Sequence, residues 1–164
     1  MNLLTQSQIS RTGVLFNELM SSWIPVFPIE NEMENAYTAR VLYPLVRNWV
    51  GTLNKSGLYC RGNGGPSVQP IVVHGLEFYP DIEIVMDSQK VLSIEVKFIR
   101  DQDSNSSITK GLGQGLLYQL HGYETSFVLF FDLRLNALNS RKTNNFRQNP
   151  ISKNLFSYVW TKPR

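Results

Sequence analysis

The chain has 164 residues, 42% of them hydrophobic and 18% charged, with a net charge of +3; this suits one globular domain with a real core. Its longest strongly apolar run, Phe127 to Phe131, is far too short to cross a bilayer, and the single Cys60 excludes an internal disulfide or a cysteine metal cluster. Met1 to Gln6 carries no basic region followed by a long apolar segment, so no signal peptide is evident and a cytoplasmic location without membrane association is expected.

From about residue 30 to 50 the apolar residues Ala36, Tyr37, Val41, Leu42, Leu45, Val46 and Trp49 recur at three-and-four spacing. This predicts a helix, with Pro28 and Asn31 near its start and Pro44 placed to kink or split it. Gly62-Asn63-Gly64-Gly65-Pro66 is a loop. Three strand-like runs follow, near 68–74, 78–86 and 91–99, the last two joined as a hairpin through Asp87 to Lys90. A helix is predicted over 109–122, with Ser107 or Thr109 as its cap. Residues 127–131 form a continuous apolar strand of the kind found at a sheet centre. Strand 91–99, this helix and strand 127–131 make a β-α-β unit, expected to be right-handed and parallel. Beyond 133 the pattern gives a helical stretch after Arg141 and a strand or helix around 156–160. The chain reads as one α/β domain over 1–164, a mixed sheet flanked by helices, with its core at about 30–132. Met33 and Phe130 are expected in that core, Cys60 as filler, and His74 as an ordinary strand residue.

Charges sit inside the best strand material. Side chains alternate along a strand, so Glu95 and Lys97 point one way while Leu92, Ile94, Val96 and Phe98 point the other. Asp81 and Glu83 alternate in the same way against Ile82, Ile84 and Met86. Burying both apolar sets on one face forces Asp81, Glu83, Glu95 and Lys97 together on the opposite face, with odd-numbered residues paired to odd, for example Asp81 near Lys97. A two-residue turn at Ser88-Gln89 gives the wrong parity, so an odd-length turn or a β-bulge is expected. Carboxylates this close repel unless a cation joins them, and their oxygens suit a hard divalent ion. A lone E-x-K is more often half of an exposed salt-bridge ladder, which contributes little.

Pro80-Asp81, thirteen intervening residues and then Glu95-Val96-Lys97 resemble the signature of the PD-(D/E)xK nuclease superfamily, with both halves on adjacent predicted strands. Gln114-x-x-x-Tyr118 on the next helix resembles the Q-x-x-x-Y element of RecB-like members. The resemblance covers about residues 30–132 and implies a restriction-endonuclease-like αβββαβ core. It also implies a DNA endonuclease requiring Mg²⁺, for which Mn²⁺ can substitute. Asp81, Glu95 and the Val96 carbonyl would hold the metal, and Lys97 would orient and activate the attacking water. Members often add a glutamate from the first helix; Glu30, Glu32 and Glu34 compete, and Glu34 shares a face with Thr38, Val41 and Leu45. Glu83 is a spare carboxylate or a partner for Lys97.

Gln114 and Tyr118 are four apart on one helical face, with Lys110 a turn earlier and His121 near the same side, while Leu112, Leu116 and Leu120 make a separate stripe expected to face the sheet. Residues 133–164 hold seven Lys or Arg and no acid, leaving nine bases against thirteen acids, a net −4, in the first 132. A basic, amide-rich block suits double-stranded DNA, and Lys110, Arg141, Lys142, Arg147 and the loop 100–108 are candidate contacts. Cutting both strands with one small site is simplest in a homodimer or higher even oligomer. A catalytically idle nuclease fold serving as a DNA-binding or assembly module is the alternative.

Overall fold

The computed structural model describes residues 6–135, 150–152 and 154–162. The chain begins with α1 (Gln6–Ser22) and, after an extended segment, forms α2 (Glu34–Tyr37), a π-helical turn (Thr38–Leu42) and α3 (Tyr43–Thr52). Then come β1 (Leu58–Gly62), β2 (Ile71–Val73), β3 (Leu76–Phe78), β4 (Ile82–Met86), β5 (Gln89–Ile99), α4 (Ser104–Leu120), β6 (Thr125–Asp132), β7 (Pro150–Ser152) and β8 (Leu155–Thr161). A six-stranded sheet runs β1-β4-β5-β6-β8-β7, and β2 with β3 makes a separate hairpin. β1, β4 and β5 are antiparallel, β5, β6 and β8 parallel, and β7 antiparallel to β8. The protein is therefore mixed α/β with a mixed sheet flanked by helices.

The first predicted helix is real, and Pro44 explains its irregularity. Proline donates no N–H, and its ring collides with the carbonyl four residues back. The π turn immediately before Pro44 widens the helix there. Burial accordingly steps by five across it, from Tyr37 and Thr38 to Leu42 and Tyr43, then resumes a four-residue step through Val46 and Val50. Ala36 is exposed, as is Met33 at 64%, because Met33 precedes the first helical turn in extended conformation. Met33 is thus a surface residue, whereas Phe130 is in the core as expected.

The predicted meander needs revision. The third strand of the antiparallel unit is β1, while most of 68–74 goes into the small β2–β3 hairpin, and 78–86 divides between β3 and β4 at Tyr79-Pro80. His74 and Gly75, both at positive φ, form the tip of that hairpin, so His74 is a turn residue. The β4–β5 hairpin turns on two residues, Asp87 and Ser88, both at positive φ, the turn best matched to strand twist. A bulge then shifts the register so that Val85 faces Lys90 but Ile84 faces Leu92. The bulge restores the parity the sequence required: Ile82 faces Ile94 and Glu83 faces Ser93. Continued one residue, that ladder sets Asp81 level with Glu95 rather than Lys97.

β5, α4 and β6 form the expected parallel unit. α4 starts at Ser104, earlier than predicted, with Asp103 rather than Ser107 or Thr109 at the cap position. The stretch after Arg141 lies outside the described residues; 155–161 is a strand that pairs in parallel with β6. Among the described residues no helix is long and apolar enough to cross a membrane.

The sheet has two covered faces. On one, Ile82, Ile84, Leu92, Ile94, Val96, Phe98, Phe127, Leu129 and Phe131 pack with Phe16 and Met20 of α1 and with Tyr37, Leu42 and Val46. Rings knit this core, Phe16 meeting Phe127 edge-on at 4.7 Å and Tyr37 meeting Phe131 at 4.8 Å. α4 and the β2–β3 hairpin cover the other face through Val128, Phe130, Leu155, Ile71, Tyr118 and Tyr123. α4 approaches through Gly111, Gly115 and Tyr118; Leu116 and Leu120 are exposed, and only Leu112 of the predicted leucine stripe packs inward. The glycines matter because a Cβ at Gly115 would lie 2.7 Å from Val128, and one at Gly111 would lie 2.9 Å from Lys97 Cγ. This glycine-lined face lays α4 over the charged side of β5.

Candidate active site

β5 runs on to Ile99, but β4 begins only at Ile82, opposite Ile94. The β5 edge is therefore open beyond Ile94. Alternate residues of a strand direct their N–H groups to the same edge, so Val96 and Phe98 present donors that β4 does not reach. Two carboxylates take them. Asp81 Oδ2 accepts from Val96 N at 2.8 Å, and Glu34 Oε1 accepts from Phe98 N at 2.8 Å. The N–H and C=O of one strand residue point to the same side, so the Val96 carbonyl shares that edge with Asp81.

Glu95 and Lys97 project from the same strand toward α4 and are buried at 3% and 7% exposure, which rules out an exposed ladder. Lys97 Nζ donates to Glu95 Oε1 at 2.6 Å and lies 3.5 Å from Glu34 Oε2. The Tyr118 hydroxyl lies 3.1 Å from Glu95 Oε2 and 2.9 Å from the Tyr79 carbonyl, its single proton serving both acceptors. Gln114 hydrogen-bonds Tyr118, while its own Oε1 is buried with no protein partner. Asp81, Glu95, Val96, Lys97, Glu34, Gln114 and Tyr118 thus stand together.

Electrostatically the cluster lacks positive charge. Among the described residues three carboxylates, Asp81, Glu95 and Glu34, face the one ammonium of Lys97. Burial pushes Asp81 from 3.8 up to about 6, the Val96 N–H and Lys97 only partly opposing it. Burial, and then the neighbouring Asp81 charge, push Glu95 from 4.5 up to about 7. Burial works against the Lys97 ammonium, but Glu95, Glu34 and Asp81 outweigh it and hold the lysine above its ordinary value. Burial, then Glu95, raise Tyr118, which stays a neutral phenol.

Other residues fall elsewhere. Of the three competing glutamates, Glu32 is bound by Arg40 at 2.7 and 2.8 Å and caps Ile29 N, and Glu30 is exposed; Glu34 alone reaches the cluster. Glu83 is not a partner for Lys97. It is 1% exposed and held by Arg61 at 3.5 Å, Tyr123 Oη at 2.5 Å and Gln69 N at 3.3 Å. Lys110 and His121 are exposed on α4 and at its end. Arg141, Lys142 and Arg147 lie outside the described residues, and most of 100–108 is the first turn of α4. One participant was missed: Asn63 of the glycine-rich loop donates to Asp81 Oδ1 at 3.1 Å. Nothing in the spacing of a G-N-G-G-P loop points to a carboxylate eighteen residues on.

Among the described residues no three His, Cys, Asp or Glu side chains form a ready metal-binding group. The donor set nevertheless fits a hard divalent cation. With all three carboxylates ionised these four side chains sum to −2, burial holds Asp81 and Glu95 back from ionising, and Gln114 Oε1 is a buried acceptor with no partner among the described residues. Comparison with protein-family models, with curated proteins and with solved structures finds no match to this chain.

Proposed function

We propose that this chain is a divalent-metal-dependent DNA endonuclease of the PD-(D/E)xK kind that hydrolyses phosphodiester bonds. The observation that carries the reading is the convergence of Asp81, Glu95, Lys97 and Glu34 at the one stretch of β5 that β4 leaves open. The order of α2–α3, β1, β4, β5, α4 and β6, read without the β2–β3 hairpin, supports it, since an αβββαβ order is what the resemblance implies. Asp81, Glu95 and the Val96 carbonyl would hold Mg²⁺ or Mn²⁺, with Glu34 beside them. The bound cation supplies the positive charge that developing phosphate charge requires and makes water a better nucleophile.

The chain's own groups do the positioning. Val96 N fixes one oxygen of Asp81, and Tyr118, itself held by Gln114, fixes one oxygen of Glu95. Lys97 remains an ammonium between Glu95 and Glu34, where it can donate to a water or a phosphate oxygen. The basic C-terminal block, residues 133–164, suits the DNA backbone. Target recognition of the restriction, homing or junction-resolving kind, and a homodimer or higher even assembly, complete the proposal.

Nicking of supercoiled plasmid in Mg²⁺ or Mn²⁺ tests it. The parent should nick, and Lys97→Ala and Asp81→Ala should each lose on the order of 10²-fold or more. Undiminished cleavage in both variants sinks the site. No cleavage of any DNA by the parent leaves an idle nuclease fold that binds DNA. Gel filtration checks the even assembly.

A further inference from the structure

Asp81 is the one acidic residue of the site that no helix or strand holds, since β4 begins a residue later. Its carboxylate nevertheless has both oxygens engaged, Oδ2 by Val96 N at 2.8 Å and Oδ1 by Asn63 Nδ2 at 3.1 Å. Asn63 grips the residue twice, because its main-chain N–H also donates to the Asp81 carbonyl at 3.0 Å.

The loop that carries Asn63 is itself fixed. Gly62 N bonds Pro66 O and Gly65 N bonds Gly62 O, each at 2.9 Å, closing the turn. Gly64, at φ +103°, lies so near the helix that an added Cβ would stand 2.9 Å from Ala39 Cα, and one on Gly65 would meet the Tyr43 hydroxyl. The loop is thus wedged between the helical segment that begins with Glu34 and the residue Asp81. It bridges the helical segment at Ala39 and Tyr43 to Asp81.

The chemistry of the amide matters as well. A lysine in its place would add a positive charge and compete with a cation, whereas an aspartate would repel Asp81. An asparagine donates one hydrogen bond, adds no charge, and leaves the carboxylate's other lone pairs for a metal ion.

We infer that Asn63 is a positioning residue of the metal site, holding the Asp81 carboxylate at its place on the β5 edge; this rests on the nuclease reading above. Mn²⁺ binding to the full-length protein, measured by calorimetry, tests it with the parent, Asn63→Ala, Asn63→Ser (a side chain too short to reach) and Asp81→Ala. Each Asn63 variant should raise the Mn²⁺ Kd by about tenfold or more. In plasmid nicking, each should need correspondingly more Mg²⁺ to reach half of its own maximal rate. Melting in EDTA confirms that at least one of the two folds. Parent-like Kd values in a folded Asn63 variant overturn the inference while leaving the nuclease site standing. If Asp81→Ala binds Mn²⁺ as the parent does, or the parent binds none, the metal-site reading fails and this inference falls with it.

Discussion

Asp81 and Glu95 are two carboxyls that the fold would rather keep protonated, at about 6 and about 7 against ordinary values of 3.8 and 4.5. A carboxyl raised in the folded state favours folding while it carries its proton. That contribution is present at low pH and is lost as pH rises through the folded value. The metal-free protein should therefore lose stability between about pH 4.5 and pH 7. Lys97, raised above 10.5, and Glu32, lowered below 4.5, titrate outside that window. Metal binding has the opposite sign, because the ligands must give up their protons. Asp81→Asn removes one of the crowded charges, so in EDTA at about pH 8 it should melt higher than the parent by roughly 2–5 °C, the difference closing toward pH 4. A lower melting point for Asp81→Asn at pH 8 contradicts the electrostatics. The same charges were legible in the sequence, since alternation alone puts Glu95 and Lys97 on one face and a bulge was needed to bring Asp81 with them. Their burial was not legible, because it depends on α4 closing over that face.

How α4 closes over it is a matter of its glycines. Apolar periodicity favoured Leu112, Leu116 and Leu120, yet Leu116 and Leu120 face solvent at 45% and 72% exposure. Glycine carries no hydropathy signal, so a close-packed seam at Gly111 and Gly115 looks like an interruption of the helix rather than its buried side. Gly113 has nothing within 4 Å of its would-be Cβ, whereas Gly115 would meet Val128 at 2.7 Å and Leu155 at 2.9 Å. Gly113→Ala should stabilise by about 0.5–1 kcal/mol through helix propensity. Gly115→Ala should destabilise by about 1–3 kcal/mol through overpacking. Urea denaturation of both gives the signs, and stabilisation by Gly115→Ala would show that the helix does not sit on the sheet as described. β1 escaped notice for a related reason: five residues containing Arg61 and Gly62 make a weak strand pattern. The burial of Cys60 and the pairing with β4 are contributed by the partner strand.

The division of charge along the chain acquires a constraint from the sheet. The basic C-terminal block is not a detachable tail, because β8 lies beside β6 and buries Leu155, Ser157 and Tyr158. Truncation would expose a strand edge along Ser126 to Asp132, and any loss of DNA binding would then report unfolding. Arg141, Lys142 and Arg147 precede that strand in sequence, so their charges can be exchanged without cutting it away. Each phosphate contact releases counterions and steepens the dependence of binding on salt by about 0.9 in the logarithmic slope. The variant with all three changed to Gln should therefore bind duplex DNA more weakly at low salt, with a slope shallower by up to about 2.7. Its Mn²⁺ affinity should match the parent's, since β5, α4 and the Asn63 loop hold Asp81 and Glu95. An unchanged salt slope would move the DNA contact to another part of the surface, with Lys110 the first position to test.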